Sequence, residues 1–279
     1  MSAEQLLAEG RLDEALTELK QGVRKDAANP KHRIFLFQLL AVQGDWERAL
    51  NQLEVSAQMD PAALPMAQTY REAIRCEYLR AAIFAGKRSP LIFGDPEHWL
   101  ALLLETLQCM AEGRLEEAAR LRDEAFAAAP ATSGRIDGQA FTWIADADPR
   151  LGPVLEAIVE GRYYWIPFHR IGRIQIEAPA DLRDVVWMPA YFTWANGGET
   201  VGLIPTRYPG SDASEDEQIR LARKTEWQEP APGTYFGLGQ RMLATDSGDY
   251  PLMDVRRIDL DVAPQPGSDA ADAAEPSGG

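Results

Sequence analysis

A recurring phrase constrains this chain more than any other feature. Residues 10–16 read GRLDEAL, residues 44–50 read GDWERAL and residues 113–119 read GRLEEAA. The first two copies start 34 residues apart and the third starts about two such periods later, which is the spacing of tetratricopeptide helix pairs. In such a unit a Gly opens the second helix, a small residue five positions on admits a neighbouring helix closely, and Pro follows the helix end. Ala49 with Pro61 and Ala118 with Pro130 keep that arrangement. Leu50 and Leu53 continue the apolar stripe, and Asp45, Glu47, Arg48 and Glu54 fall mostly on the other face. The N-terminal half is therefore expected to be stacked helical hairpins.

Residues 1–28 read as a lone second helix whose first helix is lost or reduced to Ser2–Ala8; Pro30 comes three residues late for the repeat. RIFLFQLLAVQ, ending at Gln43, is apolar almost all round, as in a helix packed on both sides. Pro65–Gly86 reads as one long helix with Tyr70, Ile74, Tyr78 and Ala81 or Ala82 on a shared stripe and Arg71, Glu72, Arg75 and Glu77 on its charged side. KRSPLIFGD at 87–95 breaks the array. Asp95 then resembles an N-cap, with Pro96 at the first helical position and the helix running to Met110.

Beyond Gly134 the pattern changes. A helix is expected over about Pro153–Glu160, followed by short aromatic and β-branched runs: Tyr163–Phe168, Gly172–Ile176, Val185–Trp194, Thr200–Ile204, Thr234–Leu243 and Pro251–Ile258. Asn196 and Gly197 between Trp194 and Val201 signal a hairpin, because both tolerate positive φ. A parallel sheet would need crossover helices that the sequence does not supply. The fold class is thus α+β: TPR-like stacked hairpins over 1–134, a smaller, mainly antiparallel β domain with one or two helices over 135–262, and a disordered acidic tail over 263–279, too poor in apolar residues to order itself. Residues 209–218 form an acidic loop, with a short helix over 218–224.

Charge narrows the function. The formal net charge of −15 argues against nucleic-acid or anionic-membrane partners, which need a cationic surface. The N-terminus carries no cationic and apolar export signal, no stretch approaches a membrane span, and Cys76 and Cys109 read as reduced core thiols, so a cytoplasmic protein is expected. Catalytic groups are sparse. His32, His98 and His169 lack metal-ligand spacing, and no phosphate loop, nucleophile elbow or zinc helix appears. Gly237 and Gly239 are best read as close backbone packing. Asp146, Asp148 and Arg150 form the densest polar cluster. Paired carboxylates can perform acid–base work or hold a cation, but Asp-rich turns are the commoner use; Asp246, Asp249 and Asp254 read as a turn in the same way. Nine aromatic residues between Trp143 and Trp194 exceed what one sheet face can bury, leaving a surplus for binding.

Three phrases carry a family resemblance: DPRLGPVLEAIVEGRYYWIPFHRI from Asp148, DLRDVVWMPAYFTWANGGETVGLIPTRYPGS from Asp181, and FGLGQRMLATDSGDYPLMDVRRIDL from Phe236. With the helical repeats before them, the chain to about Leu260 resembles the ImpE family, also called SciE-type or TagJ proteins. The resemblance implies a non-catalytic, cytoplasmic accessory protein of bacterial type VI secretion, without metal or cofactor. Such a protein binds the N-terminal helix of the small contractile-sheath subunit, TssB, and is linked to the ClpV unfoldase that recycles the sheath. The physical reading agrees in kind, since stacked hairpins make a groove for an amphipathic helix. Candidate groove contacts are Phe35, Gln38, Tyr70, Arg71, Ile74 and Trp99; alternatives on the β domain are Tyr164, Trp187 and Trp194. The competing classes are a hydrolase or metal-dependent enzyme built on Asp146, Asp148 or His169, and an oligomeric structural part of the secretion machine.

Overall fold

In the computed structural model, which describes residues 1–262, the first half is an array of antiparallel helices. They are α1 (Ala3–Ala8), α2 (Leu12–Lys25), α3 (Pro30–Val42), α4 (Trp46–Met59), α5 (Leu64–Phe84), α6 (His98–Ala111) and α7 (Leu115–Ala128). The repeat glycines act one step earlier than their spacing implies. Gly10, Gly44 and Gly113 have φ of +80°, +70° and +76°, and the following N–H groups of Arg11, Asp45 and Arg114 reach back to Leu6, Leu40 and Cys109. Each Gly thus ends the first helix of its hairpin in the left-handed conformation that L side chains avoid. Ala49 and Ala118 are buried where helices cross, as their spacing predicts. The reduced first helix survives as α1, fixed by a capping box between Ser2 and Gln5.

The second half supplies β2 (Gly134–Ile136), β3 (Gln139–Phe141), β4 (Ile144–Asp146), β5 (Val154–Val159), β6 (Arg162–Pro167), β7 (Ile171–Ile176), β8 (Trp187–Trp194), β9 (Glu199–Pro205), the four-residue helix α8 (Glu217–Arg220), β10 (Thr225–Ala231), β11 (Thr234–Gly239), β12 (Met242–Thr245), β13 (Gly248–Pro251) and β14 (Arg257–Leu260). Their main sheet is joined by β1 (Leu91–Ile92) from the helical half and runs β1-β6-β5-β9-β8-β7-β14-β2-β3. All its pairings are antiparallel except β1 on β6. The hairpin β10-β11 and the three-stranded sheet β13-β12-β4 complete the β structure. Asn196 and Gly197 turn β8 into β9 as the sequence predicts, with Gly197 at φ +85°. Asp246 lies in the β12-β13 turn. The acidic tail at 263–279 lies outside the described residues.

Three expectations give way. Residues 154–159 form a strand, β5, and every one of them is buried, so the apolar run lacks the alternation that marks a half-exposed strand. Asp95 is not the N-cap of α6. That helix starts at His98 after Glu97, whose side chain makes no capping bond. On α5, Tyr78 is 55 % exposed, whereas Glu77 and Arg80 are buried, because both pair with side chains that the sheet delivers.

Each face of the sheet contributes to a core. One packs around Leu155, Ile166, Ile174, Met188, Phe192 and Ile258; the other places Ile158, Tyr163, Trp165, Trp187 and Leu203 in one core with the helices. The Gly237–Gly239 segment is packed as closely as its composition implies. A Cβ on Gly237 would stand 2.2 Å from the Tyr208 ring, and one on Gly239, at φ +88°, would stand 2.0 Å from the Lys224 carbonyl oxygen. Gly239→Ala is therefore expected to cost about 3 kcal/mol from strain and overpacking, measured as a lower midpoint in urea unfolding; a midpoint unchanged from the parent would contradict it.

Candidate functional site

Helices and sheet meet at a buried charged seam. α5 delivers Glu77 and Arg80, the ends of β4 and β8 deliver Asp146 and Trp187, and the middle of β5 delivers Glu156; Arg241 stands between β11 and β12. Arg80 donates Nε to Glu156 Oε1 at 2.6 Å and Nη2 to Glu156 Oε2 at 3.0 Å, and it also donates to the Arg207 carbonyl at 2.8 Å. Arg241 bridges Asp146 and Glu156 through separate guanidinium nitrogens, and Tyr163 donates its hydroxyl to Glu156. The Trp187 indole N–H donates to Glu77 at 2.9 Å and the Tyr208 hydroxyl to Asp146 at 3.1 Å. Two guanidinium groups on one carboxylate, each shared with a second acid, satisfy charges that would otherwise be very costly away from water.

A second tie fastens the sheet's loops to the helix ends. Arg207 donates to the Val42 carbonyl at 2.7 Å and Arg223 to the Leu7 carbonyl at 2.7 Å. Both cations sit at the C-terminal ends of α3 and α1, where positive charge is favoured. Asp212 and Gln218 pack against Gly44 and Gly10, so the loop 205–224 grips two of the three repeat corners.

The sequence singled out Asp146 and Asp148 as an acid pair and His169 as a candidate base. Asp146 and Asp148 share one turn, in which the Asp148 N–H donates to Asp146 Oδ1 at 2.8 Å, while each carboxylate has its own arginine and His169 is held elsewhere. Asp148 accepts from Arg150 at 2.5 Å and from the Gly237 N–H at 2.8 Å, and Asp146 belongs to Arg241 and Tyr208. His169 lies 2.9 Å from Glu97, which also accepts from Arg170 and Trp99. Burial lowers the His169 pKa against the pull of Glu97. Among the described residues no group of three or more His, Cys, Asp or Glu is placed to hold a metal ion. Cys76 and Cys109 are buried thiols, and burial pushes Cys76 up to about 12.

The candidate contact residues mostly face inward. Gln38, Tyr70, Ile74 and Trp99 are buried, as are Trp187 and Trp194; Phe35, Arg71 and Tyr164 are half-buried. The physical reason is that the chain fills its own helical groove. Trp187 lies 5.5 Å from Tyr70 and 5.8 Å from Trp46, ring centre to ring centre, and Arg183 stacks over Tyr70 at 4.9 Å. Trp194 stacks on Phe192 and Phe93 in the sheet's own core. Sequence reasoning missed Glu77, Arg80, Glu156 and Arg241. The one available signal was a Glu at the centre of the apolar run VLEAIV, which demands a buried cation.

The seam titrates in two senses. Desolvation alone would raise Glu156, yet Arg80 and Arg241 outweigh it and hold the carboxyl at about 2 against 4.5 for a free Glu. Desolvation pushes Asp146 up to about 6 in spite of Arg241. The stabilisation from Glu156 is present above 4.5 and is lost as the pH falls towards 2. Asp146 acts oppositely, opposing folding as it ionises between 3.8 and about 6. The unfolding midpoint should therefore fall steeply below about pH 4. Glu156→Gln should flatten that acid limb, and an equally steep limb in the variant would contradict the assignment.

Comparison with known proteins follows the same division of the chain. Residues 138–259 match the family model described as ImpE protein, and residues 6–73 match a tetratricopeptide repeat model. The type VI secretion system accessory component TagJ of Pseudomonas aeruginosa is 52 % identical over 261 residues, which is 94 % of this chain and 92 % of that protein. A crystal structure of a Vibrio parahaemolyticus protein superposes with a TM-score of 0.82 at 25 % identity, covering 92 % of this chain and 97 % of the other. The agreement extends over the helical half and the sheet together, and on it the chain belongs to the ImpE family.

Proposed function

We propose that this chain is a non-catalytic, cytoplasmic accessory component of a type VI secretion system. In this reading it binds the N-terminal helix of the small sheath subunit, TssB, and connects it with the ClpV unfoldase. The observation that carries the reading is the 52 % identity to TagJ across nearly the whole of both chains. The TPR-like array supports it as a fold built to present surfaces to other chains. So does the way Asp146, Asp148 and His169 are each committed to structural partners. No helix among the described residues is long and apolar enough to cross a membrane.

Titrating a labelled peptide of the sheath subunit's N-terminal helix into the purified chain, followed by fluorescence anisotropy, tests the reading. Saturable binding at or below tens of micromolar is expected. A linear, unsaturated response over that range would contradict it.

A further inference from the structure

The third repeat corner stands open where the first is closed. Residues 8–15 read AEGRLDEA and residues 111–118 read AEGRLEEA, and the two corners share their internal ties. Arg11 is paired with Glu9 and Glu14, and Arg114 with Glu112 and Glu117. Around Gly10 the chain's own loop completes the corner. Arg223 donates to the Leu7 and Ala8 carbonyls at 2.7 and 3.3 Å, Arg220 pairs with Asp13 at 3.3 Å, and Glu217 accepts from the Asp13 N–H at 3.0 Å. The Gly44 corner is filled in the same manner: Arg207 donates to the Ala41 and Val42 carbonyls, which precede the Gly as Leu7 and Ala8 precede Gly10. At the third corner the matching acceptors are the Met110 and Ala111 carbonyls and the Glu116 carboxylate. Among the described residues no side chain donates to them. A Cβ on Gly113 would meet nothing within 4 Å, and Gly113, Leu115 and Glu116 line an open hollow of about 450 Å³.

We infer that this corner is a docking site for a partner chain that presents a short helical turn with an acid followed by arginines three and six residues later. That is the pattern with which Glu217, Arg220 and Arg223 close the Gly10 corner. The likeness between the two corners fixes the occupant's chemistry. A guanidinium is favoured at the C-terminal end of a helix, where backbone carbonyls point outward, and the Glu116 carboxylate takes the second arginine as Asp13 does. The chain supplies no cation of its own to these acceptors. Arg114 is engaged by its two acids, Arg120 is exposed one turn along α7, and Lys87 and Arg88 line a separate cleft between α5 and α6. Residues 263–279 contain neither Arg nor Lys and cannot fill the corner. The inference goes beyond the proposed function and does not rest on binding of the sheath helix.

A peptide of residues 214–225, which carries the pattern, is the probe, titrated into the isotope-labelled full chain and followed by amide NMR. Saturable shifts at residues 111–117, with a Kd of about 1 mM or tighter, are expected. The same peptide with Arg220→Ala and Arg223→Ala should leave those amides unmoved. Glu116→Lys in the chain should weaken binding of the unaltered peptide at least about tenfold, whereas Glu124→Lys, an exposed acid further along α7, should leave it unchanged. In an Arg223→Ala chain, whose own clamp is cut, the peptide should also shift residues 7–10. No saturable shift at the Gly113 corner overturns the inference, and docking at the Gly10 corner alone does so as well. Equal shifts from the Ala-substituted peptide, or undiminished binding to the Glu116→Lys chain, overturn the assigned chemistry.

Discussion

Arg241→Met is expected to destabilise the protein by about 3–5 kcal/mol, the usual consequence of removing one partner from a buried ion pair. Arg241 is fully buried and its guanidinium serves Asp146 and Glu156 while its Nε–H donates to the Pro205 carbonyl at 2.9 Å. Methionine fills much of the volume but leaves Asp146 without its cation and Glu156 with Arg80 alone. In a chain of this size such a loss corresponds to a melting point lower by about 10 °C. Arg241→Lys should fall in between, because one ammonium cannot reach all three acceptors in the guanidinium's planar geometry. Mild acidification should partly rescue the Met variant by neutralising the orphaned Asp146. A Met variant within about 1 kcal/mol of the parent in urea unfolding would show that the network contributes little net stability.

Trp187→Ala is the second large effect, also about 3–5 kcal/mol. Trp187 has no exposed surface, packs on Tyr70 and Trp46, and is a hydrogen-bond donor to Glu77. Its removal opens a cavity between the two halves and strips a buried carboxylate of a donor. Desolvation already raises the Glu77 pKa despite Arg80, so the variant should favour the protonated acid further. Trp187→Phe restores the ring but not the indole N–H, and the difference between the two variants isolates the hydrogen bond. A Phe variant as unstable as the Ala variant would assign the effect to the N–H; one equal to the parent would assign it to packing alone.

Local features made the helical half readable. The Gly, Ala and Pro spacing sets where helices end and cross, and those constraints are satisfied within one hairpin. The Asn196–Gly197 turn was readable for the same reason, since its geometry is decided by a few adjacent residues. What the sequence concealed depends on distant partners. Glu77 and Arg80 look like a solvated helix face until Glu156, 76 residues beyond Arg80, is brought against them. β5 looks helical because it is enclosed on both sides, one by helices and one by the sheet's inner core, which removes the period of two. The candidate groove contacts Tyr70 and Ile74 are buried on α5, and what lies against Tyr70 is the chain's own sheet, through Trp187 of β8. The remaining aromatic surplus is smaller than the count implied, with Tyr191 and Trp143 among the rings left open.

Helices and sheet form a single cooperative body, joined by the charged seam and by Trp187, which leaves partners only the outer surface. Differential scanning calorimetry of the full chain tests it most directly. The account predicts one endotherm whose calorimetric enthalpy equals the van't Hoff enthalpy, shifted down as a whole by Arg241→Met. Two resolved transitions, with the variant moving only one of them, would contradict it.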